Sequence, residues 1–285
     1  MFIDALQDAF IDTVKLIPFL YLTYVLMEWL EKKTSEKQAE GLARAGKFGP
    51  LYGAIAGVVP QCGFSAAASS LYSGGVITVG TLLAVFLSTS DEMLPIMISN
   101  RTAAGTMAQI VAAKAVIGLI TGFAIDALLP HLHTHFRSSK HIEDLCEAEH
   151  CGCEEEDGNI FKSALIHTVH IILFVFVISF VLTMATEHLG EHVVAQYMQE
   201  HQILGVFLMA LIGLIPNCGA SVAATQLYLD GMISAAQMIS GLLTGAGVGL
   251  LVLFRTNRHL KENLVILAIL YAAGVFWGLL LQLVI

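Results

Sequence analysis

Charge is scarce in this sequence. Asp, Glu, Lys and Arg together make 13% of its 285 residues, about half the share usual in soluble domains. Only six prolines and two tryptophans punctuate a chain that is 56% hydrophobic, with a mean hydropathy of +0.75. Such a composition excludes a soluble globular protein and points to an integral membrane protein. A G-x-x-x-x-G-K-[ST] loop is also missing, so any energy source is an ion gradient or a separate subunit. The first apolar run follows Asp4 and Asp8, with Asp12 in its opening residues, rather than a basic segment. We therefore expect it to be the first membrane helix and not a cleaved leader. Nothing in the spacing of the five cysteines resembles a secreted disulfide framework.

The charge that is present is unevenly placed. The formal net charge is −9, and the stretch 141–157 alone carries Glu143, Asp144, Glu147, Glu149, Glu154, Glu155, Glu156 and Asp157, which leaves the apolar remainder close to neutral. No nucleic-acid partner is expected.

The chain is organised around a stretch that occurs twice. Gly57-Val58-Val59-Pro60-Gln61-Cys62-Gly63-Phe64-Ser65-Ala66-Ala67-Ala68 returns 156 positions later as Gly213-Leu214-Ile215-Pro216-Asn217-Cys218-Gly219-Ala220-Ser221-Val222-Ala223-Ala224. The register continues without a gap through Leu71-Tyr72 and Leu227-Tyr228, Gly75 and Gly231, and Ile77 and Ile233. Each copy sets proline and glycine in the middle of an apolar run. Proline removes an amide donor and clashes with the preceding turn, so each run should split into two half-helices. Inside a bilayer such a break is tolerated only where the freed backbone groups face protein or a water-filled cavity. A pair of breaks at matching places in two halves is the sequence pointer to a transporter's binding site.

The rest of the chain follows the same duplication. In the first half, 9–30 reads as a span, 48–73 as the first interrupted segment and 103–129 as another span. Residues 76–98 read as a second broken or re-entrant segment, because Ser88-Thr89-Ser90-Asp91-Glu92 and Pro95 are too polar for a lipid-facing helix. In the second half, 163–186, 203–229, 232–254 and 264–284 retrace that order, and Gly274 and Gly278 repeat Gly118 and Gly122. The expected domains are a transmembrane repeat at 1–130, an acidic His/Cys-rich linker at 131–159 and a second repeat at 160–285. Loop charges decide between parallel and inverted halves. Parallel halves put nine Lys and Arg on the cytoplasmic side and three outside, whereas inverted halves put eleven inside and Arg101 alone outside. The expected fold is thus an all-α polytopic membrane protein of two inverted repeats with broken or re-entrant helices, with about 8–10 membrane segments. An inner or plasma membrane location follows, with the lipid bilayer as its constant partner; a homodimer is left open.

Four groups of residues carry candidate chemistry. The first is the motif pair Pro60, Gln61, Cys62, Gly63, Ser65 and Pro216, Asn217, Cys218, Gly219, Ser221. There, half-helix ends offer partial charges, while amides, hydroxyls and two thiols suit a soft or borderline metal or a trivalent arsenical. The competing reading is a kinked, packed helix with cysteine as a small core filler. The second group is Asp91 and Glu92 beside Ser90. Adjacent carboxylates in an apolar run line a pathway, bind a cation or carry a proton, unless they sit in water beyond the segment's end. Third come Asp12, Lys15, Lys114, His167 and His170, candidates for coupling or proton relay, against which stands simple snorkelling at the interface. The fourth is the linker, where His131, His133, His135, His150, Cys151 and Cys153 form an array of transition-metal ligands without closed-site spacing. An acidic tether is the alternative there.

With the twin P-[QN]-C-G-x-S motifs, the Ser-Thr-Ser-Asp-Glu cluster, Asn100-Arg101 and Asn257-Arg258, and the His/Cys linker in hand, the chain resembles the ten-helix heavy-metal exporter family. Members of that family are variously labelled arsenic efflux permeases or manganese transporters. The resemblance covers essentially the whole length and implies a heavy-metal or metalloid efflux permease with ten membrane helices. The expected function is a secondary transporter for a heavy-metal or divalent metal ion, working by alternating access around Cys62 and Cys218. It needs no cofactor, the metal being cargo. A permease for an arsenical, oxyanion or other small anion is the alternative. A channel and a thiol enzyme using Cys62 are less favoured readings, the second because no histidine lies near Cys62 in sequence.

Overall fold

The computed structural model describes residues 48–90, 93–128, 198 and 201–284. It also describes the helix at 160–186 (backbone throughout, side chains at 164–166, 168–178 and 180) and residues 10, 11, 13, 14, 17, 18, 20–22, 24 and 25. Asp12, Lys15, Asp91, Glu92, the side chain of His167 and the whole 131–159 linker, with His131, His133, His135, His150, Cys151 and Cys153, lie outside the described residues.

The described elements are helices, with no strand among the described residues. The first half holds α1 (Gly49–Val58), α2 (Cys62–Ser73), α3 (Val79–Ser88), α4 (Met93–Ser99) and α5 (Ala104–Leu128). The second holds α6 (Ile160–Thr186), α7 (Gln202–Gly213), α8 (Cys218–Leu229), α9 (Ala235–Thr244), α10 (Val248–Thr256) and α11 (Leu260–Val284).

Local chemistry explains where these helices stop. Val59, the residue before Pro60, is extended (φ −65°, ψ 123°), as the proline ring requires of its predecessor. In the second half the last turn tightens first, Leu214 and Ile215 donating to carbonyls three residues back. Both halves then make the same tight turn across the proline, with Gln61 N–H on Val59 O and Asn217 N–H on Ile215 O, each at 2.7 Å. Helix resumes at Cys62 and Cys218, after Gln61 and Asn217 in extended conformation.

Each half has a second interruption. α3 ends at Ser88, and α9 ends at Thr244 before Gly245 and Ala246 and a Gly247 at φ 52°, ψ −136°, a backbone conformation that favours glycine. Among the described residues, four stretches are long and apolar enough to cross a membrane: Val79–Ser99, Ala104–Leu128, Ala235–Thr256 and Leu260–Val284. The two interrupted ones are mostly buried within the protein, while the two continuous ones mostly face outward. That is the distribution a bilayer demands, since irregular backbone must be shielded from lipid.

Packing repeats as the sequence does. α1, α3 and α5 form one three-helix core and α7, α9 and α11 another, and the two cores meet where α3 faces α9. The helices that follow the prolines cross over, α2 packing on α10 of the other half and α8 on α4. The motif glycines are the close-approach points. A Cβ at Gly57 would collide with Ser88 Oγ and lie 2.6 Å from Val85 O, while one at Gly213 would collide with the corresponding Thr244 Oγ1 and with Gly241 O. Small residues of this kind let membrane helices approach backbone to backbone. Replacing Gly213 with valine should therefore destabilise the protein by at least about 3 kcal/mol, the upper end of ordinary overpacking. The measurement is the fraction surviving heating before size-exclusion chromatography.

Candidate functional site

The twin motifs place a cysteine at the first residue of α2 and of α8. Cys62 is 4% and Cys218 7% exposed, and neither is disulfide-bonded. They belong to one packed cluster with Leu20, Tyr24 and Ala66 from the first half and Ile171, Val248 and Val252 from the second. Two soft sulfur donors, each in the amino-terminal turn of its helix, thus share one apolar surround.

The other motif residues take different places. Ser65 Oγ donates to Cys62 O and Ser221 Oγ to Cys218 O, both at 2.8 Å. These hydroxyls close the first turns, and each oxygen keeps acceptor capacity. Asn217 caps α8 by accepting from Gly219 N–H at 2.7 Å, whereas Gln61 makes no side-chain cap on α2. Gly63 and Ser65 are buried, Gln61, Pro216, Asn217 and Ser221 half-buried, and Pro60 and Gly219 exposed. Among the described residues no three His, Cys, Asp or Glu side chains gather as a metal cluster.

A second focus lies at the ends of α3 and α9. Lys114, on α5, is fully buried, and its ammonium donates to Thr89 O and, at 2.9 Å, to Leu242 O. Thr89 is the C-cap of α3, and Leu242 lies in the last turn of α9. Both carbonyls are among those a helix terminus leaves without an intrahelical donor. One cation therefore sits at the negative ends of two helices, one from each half. Hydroxyls around it turn to backbone: Ser88 Oγ to Ala84 O (2.7 Å), Thr89 Oγ1 to Val85 O (2.8 Å), Ser90 Oγ to Ser88 O (3.2 Å) and Thr244 Oγ1 to Ala210 O (2.8 Å).

Other polar residues stand apart from both. His170 is exposed on α6, with Leu165, Val169, Leu173 and Val177 also on the outside of that helix. Asp126 has a local task, capping α3 through Thr78 Oγ1 (2.7 Å) and Gly80 N–H (3.0 Å).

Glu262 carries no functional signal of its own in the sequence. It follows Arg258, His259 and Lys261 and so reads as loop, or as a first-turn acid balancing a helix dipole in water. Instead it is 2% exposed, and its Oε1 accepts the hydroxyl of Tyr72 from α2. Glu262 and Lys114 are the buried charged side chains among the described residues, and each bonds to the opposite half. The one signal in the sequence was Tyr72, whose recurrence as Tyr228 marked it as part of the repeat.

No curated protein and no solved structure matches the chain. The sequence model of one family matches residues 1–188, about two thirds of the length, and on that ground the chain belongs to the family described as "Putative, 10TM heavy-metal exporter".

Proposed function

We propose that this protein is a secondary transporter that exports a metal ion across the membrane by alternating access of two inverted halves. Its cargo site lies between the half-helices that begin at Gln61-Cys62 and Asn217-Cys218. The observation that carries this reading is the presence of both buried thiols, one from each half, in a single cluster at two matching helix restarts. A thiol pair supplies soft ligands. Main-chain carbonyls at the breaks and the amides of Gln61 and Asn217 supply oxygen donors for a harder ion such as Mn²⁺. Asp91 and Glu92, immediately after the α3 terminus that Lys114 bonds, bind the cation or a counter-moving proton. Lys114 is the resident charge that balances them, and the His/Cys linker collects metal at low affinity.

Purified protein in sealed vesicles tests this reading when Mn²⁺, Zn²⁺, Cd²⁺, Cu⁺ and arsenite are supplied in turn. Transport of at least one cation above protein-free vesicles is expected. Transport of arsenite alone would shift the assignment to the arsenical alternative, and no flux of any species would remove it. Replacing Cys62 and Cys218 together by serine should lower soft-ion flux at least tenfold, because a hydroxyl is a poor ligand for Cd²⁺ or Cu⁺. Mn²⁺ flux should change far less, which separates a liganding role from a packing one.

A further inference from the structure

We propose that the seam joining α2 to α10 and α11 is a gate of the transport path, closed in this structure, with Tyr72 and Glu262 as its gate residues. The proposal rests on the transport reading above and adds to it the place where one side of the path seals.

Polar contacts between the halves line this seam. Tyr72 donates to Glu262, Ser73 Oγ and Thr256 Oγ1 share a hydrogen bond of 2.7 Å, and Ser69 Oγ donates to Gly249 O at 2.7 Å. Closeness at its inner end depends on Gly249, where a Cβ would come within 2.8 Å of Ser65 Cβ. Holding a carboxyl at 2% exposure in a membrane protein is costly. Its partner here comes from the other half, so the favourable contact exists only while the halves are closed.

The matching seam in the other half is built differently. Of the twelve residues of α2 nine are buried, but of the twelve in α8 only Cys218, Ala224 and Thr225 are. Thr225 Oγ1 on α8 turns back to Ser221 O of its own helix, whereas its counterpart on α2, Ser69 Oγ, reaches Gly249 O across the seam as well as Ser65 O. With Asn100-Arg101 matching Asn257-Arg258, the counterpart of Thr256 is Ser99, exposed at the end of α4, and, with Gly118 matching Gly274, that of Glu262 is Thr106, half-buried. Two seams that correspond in sequence are thus in different states, one tight and latched by side chains, the other loose. In a transporter of repeated halves, tightening one seam as the other loosens changes the side from which the cargo site is reached.

A reversible lock tests the gate. Full-length protein carrying Ser73→Cys and Thr256→Cys is reconstituted in vesicles with a cation the parent transports, then oxidised, and the new disulfide is mapped by mass spectrometry. The hydroxyl contact at 2.7 Å places these positions within disulfide reach. Oxidation is expected to lower flux at least tenfold and a reductant to restore it. The parent and each single variant, treated alike, keep their flux. So does the pair Ser234→Cys and Gln282→Cys, whose bond of 3.0 Å lies inside the second half. Full flux in the oxidised, linked protein overturns the gate while leaving the transport reading intact, and failure of the disulfide to form overturns it too. No flux from the parent removes the transport reading and the gate with it. As a second readout, Tyr72→Phe removes only the latch hydroxyl. It should speed labelling of a lone cysteine at position 73 by a water-soluble maleimide by about tenfold, the factor one good hydrogen bond carries. Unchanged labelling would show that Tyr72 does not hold the seam.

Discussion

Replacing Lys114 with methionine is expected to abolish cation flux and to weaken the fold at the same time. Methionine keeps an unbranched side chain of similar length, so the change is largely loss of the ammonium. That ammonium satisfies Thr89 O at the end of α3 and Leu242 O at the end of α9. Hydrogen bonds to a charged group are each worth about 1.5–3 kcal/mol, and removing the cation leaves two helix termini with their negative ends facing each other unscreened. Midpoint temperature in detergent should fall by several degrees and flux by more than tenfold. Lys114→Arg keeps the charge, yet its planar fork does not fit the two carbonyls as a point charge does. Its midpoint should lie between those of wild type and methionine. Normal flux in the methionine protein would show that the α3 and α9 ends are structural joints only.

The breaks at Pro60 and Pro216 are legible from sequence because their cause is local: a proline fixes its own φ and the conformation of its predecessor whatever surrounds it. Repetition at an offset of 156 residues made the correspondence of the two halves legible as well. The close approach of Gly57 to Ser88 and of Gly213 to Thr244 was not, although all four residues were in plain view, because each contact joins elements that only the tertiary fold brings together. The interruption at Gly245–Gly247 was legible only by repetition, as the counterpart of the broken 76–98 segment, and not from its own residues. It lies in an apolar, glycine-containing run with no proline, where sequence alone does not distinguish a tolerated helical glycine from one at positive φ. Glu262 was hidden for a different reason. Its neighbours His259 and Lys261 are exposed, and the burial comes from α2, nearly two hundred positions away along the chain. Charge close to a helix start reads as solvent-facing, and only the crossing of α2 onto the second half changes that.

The second large effect is expected from Asp91→Asn combined with Glu92→Gln. These residues follow directly on Ser90, one residue beyond the C-cap of α3, and the second half offers Gly247 and Val248 at the corresponding positions. On the proposed reading, a cation path would therefore meet this pair of acids once, not twice. Carboxamides keep the volume and one oxygen donor of each side chain and remove both negative charges. A unit charge 4 Å from its counter-ion is worth about 4 kcal/mol at the effective dielectric of a partly solvated site. Divalent flux should consequently fall by at least about a hundredfold, a loss equivalent to roughly 2.7 kcal/mol, with the amount of folded protein unchanged. Arsenite is uncharged at neutral pH and reacts with thiols, so its flux, if the protein carries it, should survive the double change. Joining Lys114→Met to the pair distinguishes a shared charge network from independent sites. If the acids and the ammonium balance one another, the triple variant loses less flux than the two changes multiplied. Strict multiplication would assign Lys114 to holding α3 and α9 together and leave cation selection to the carboxylates.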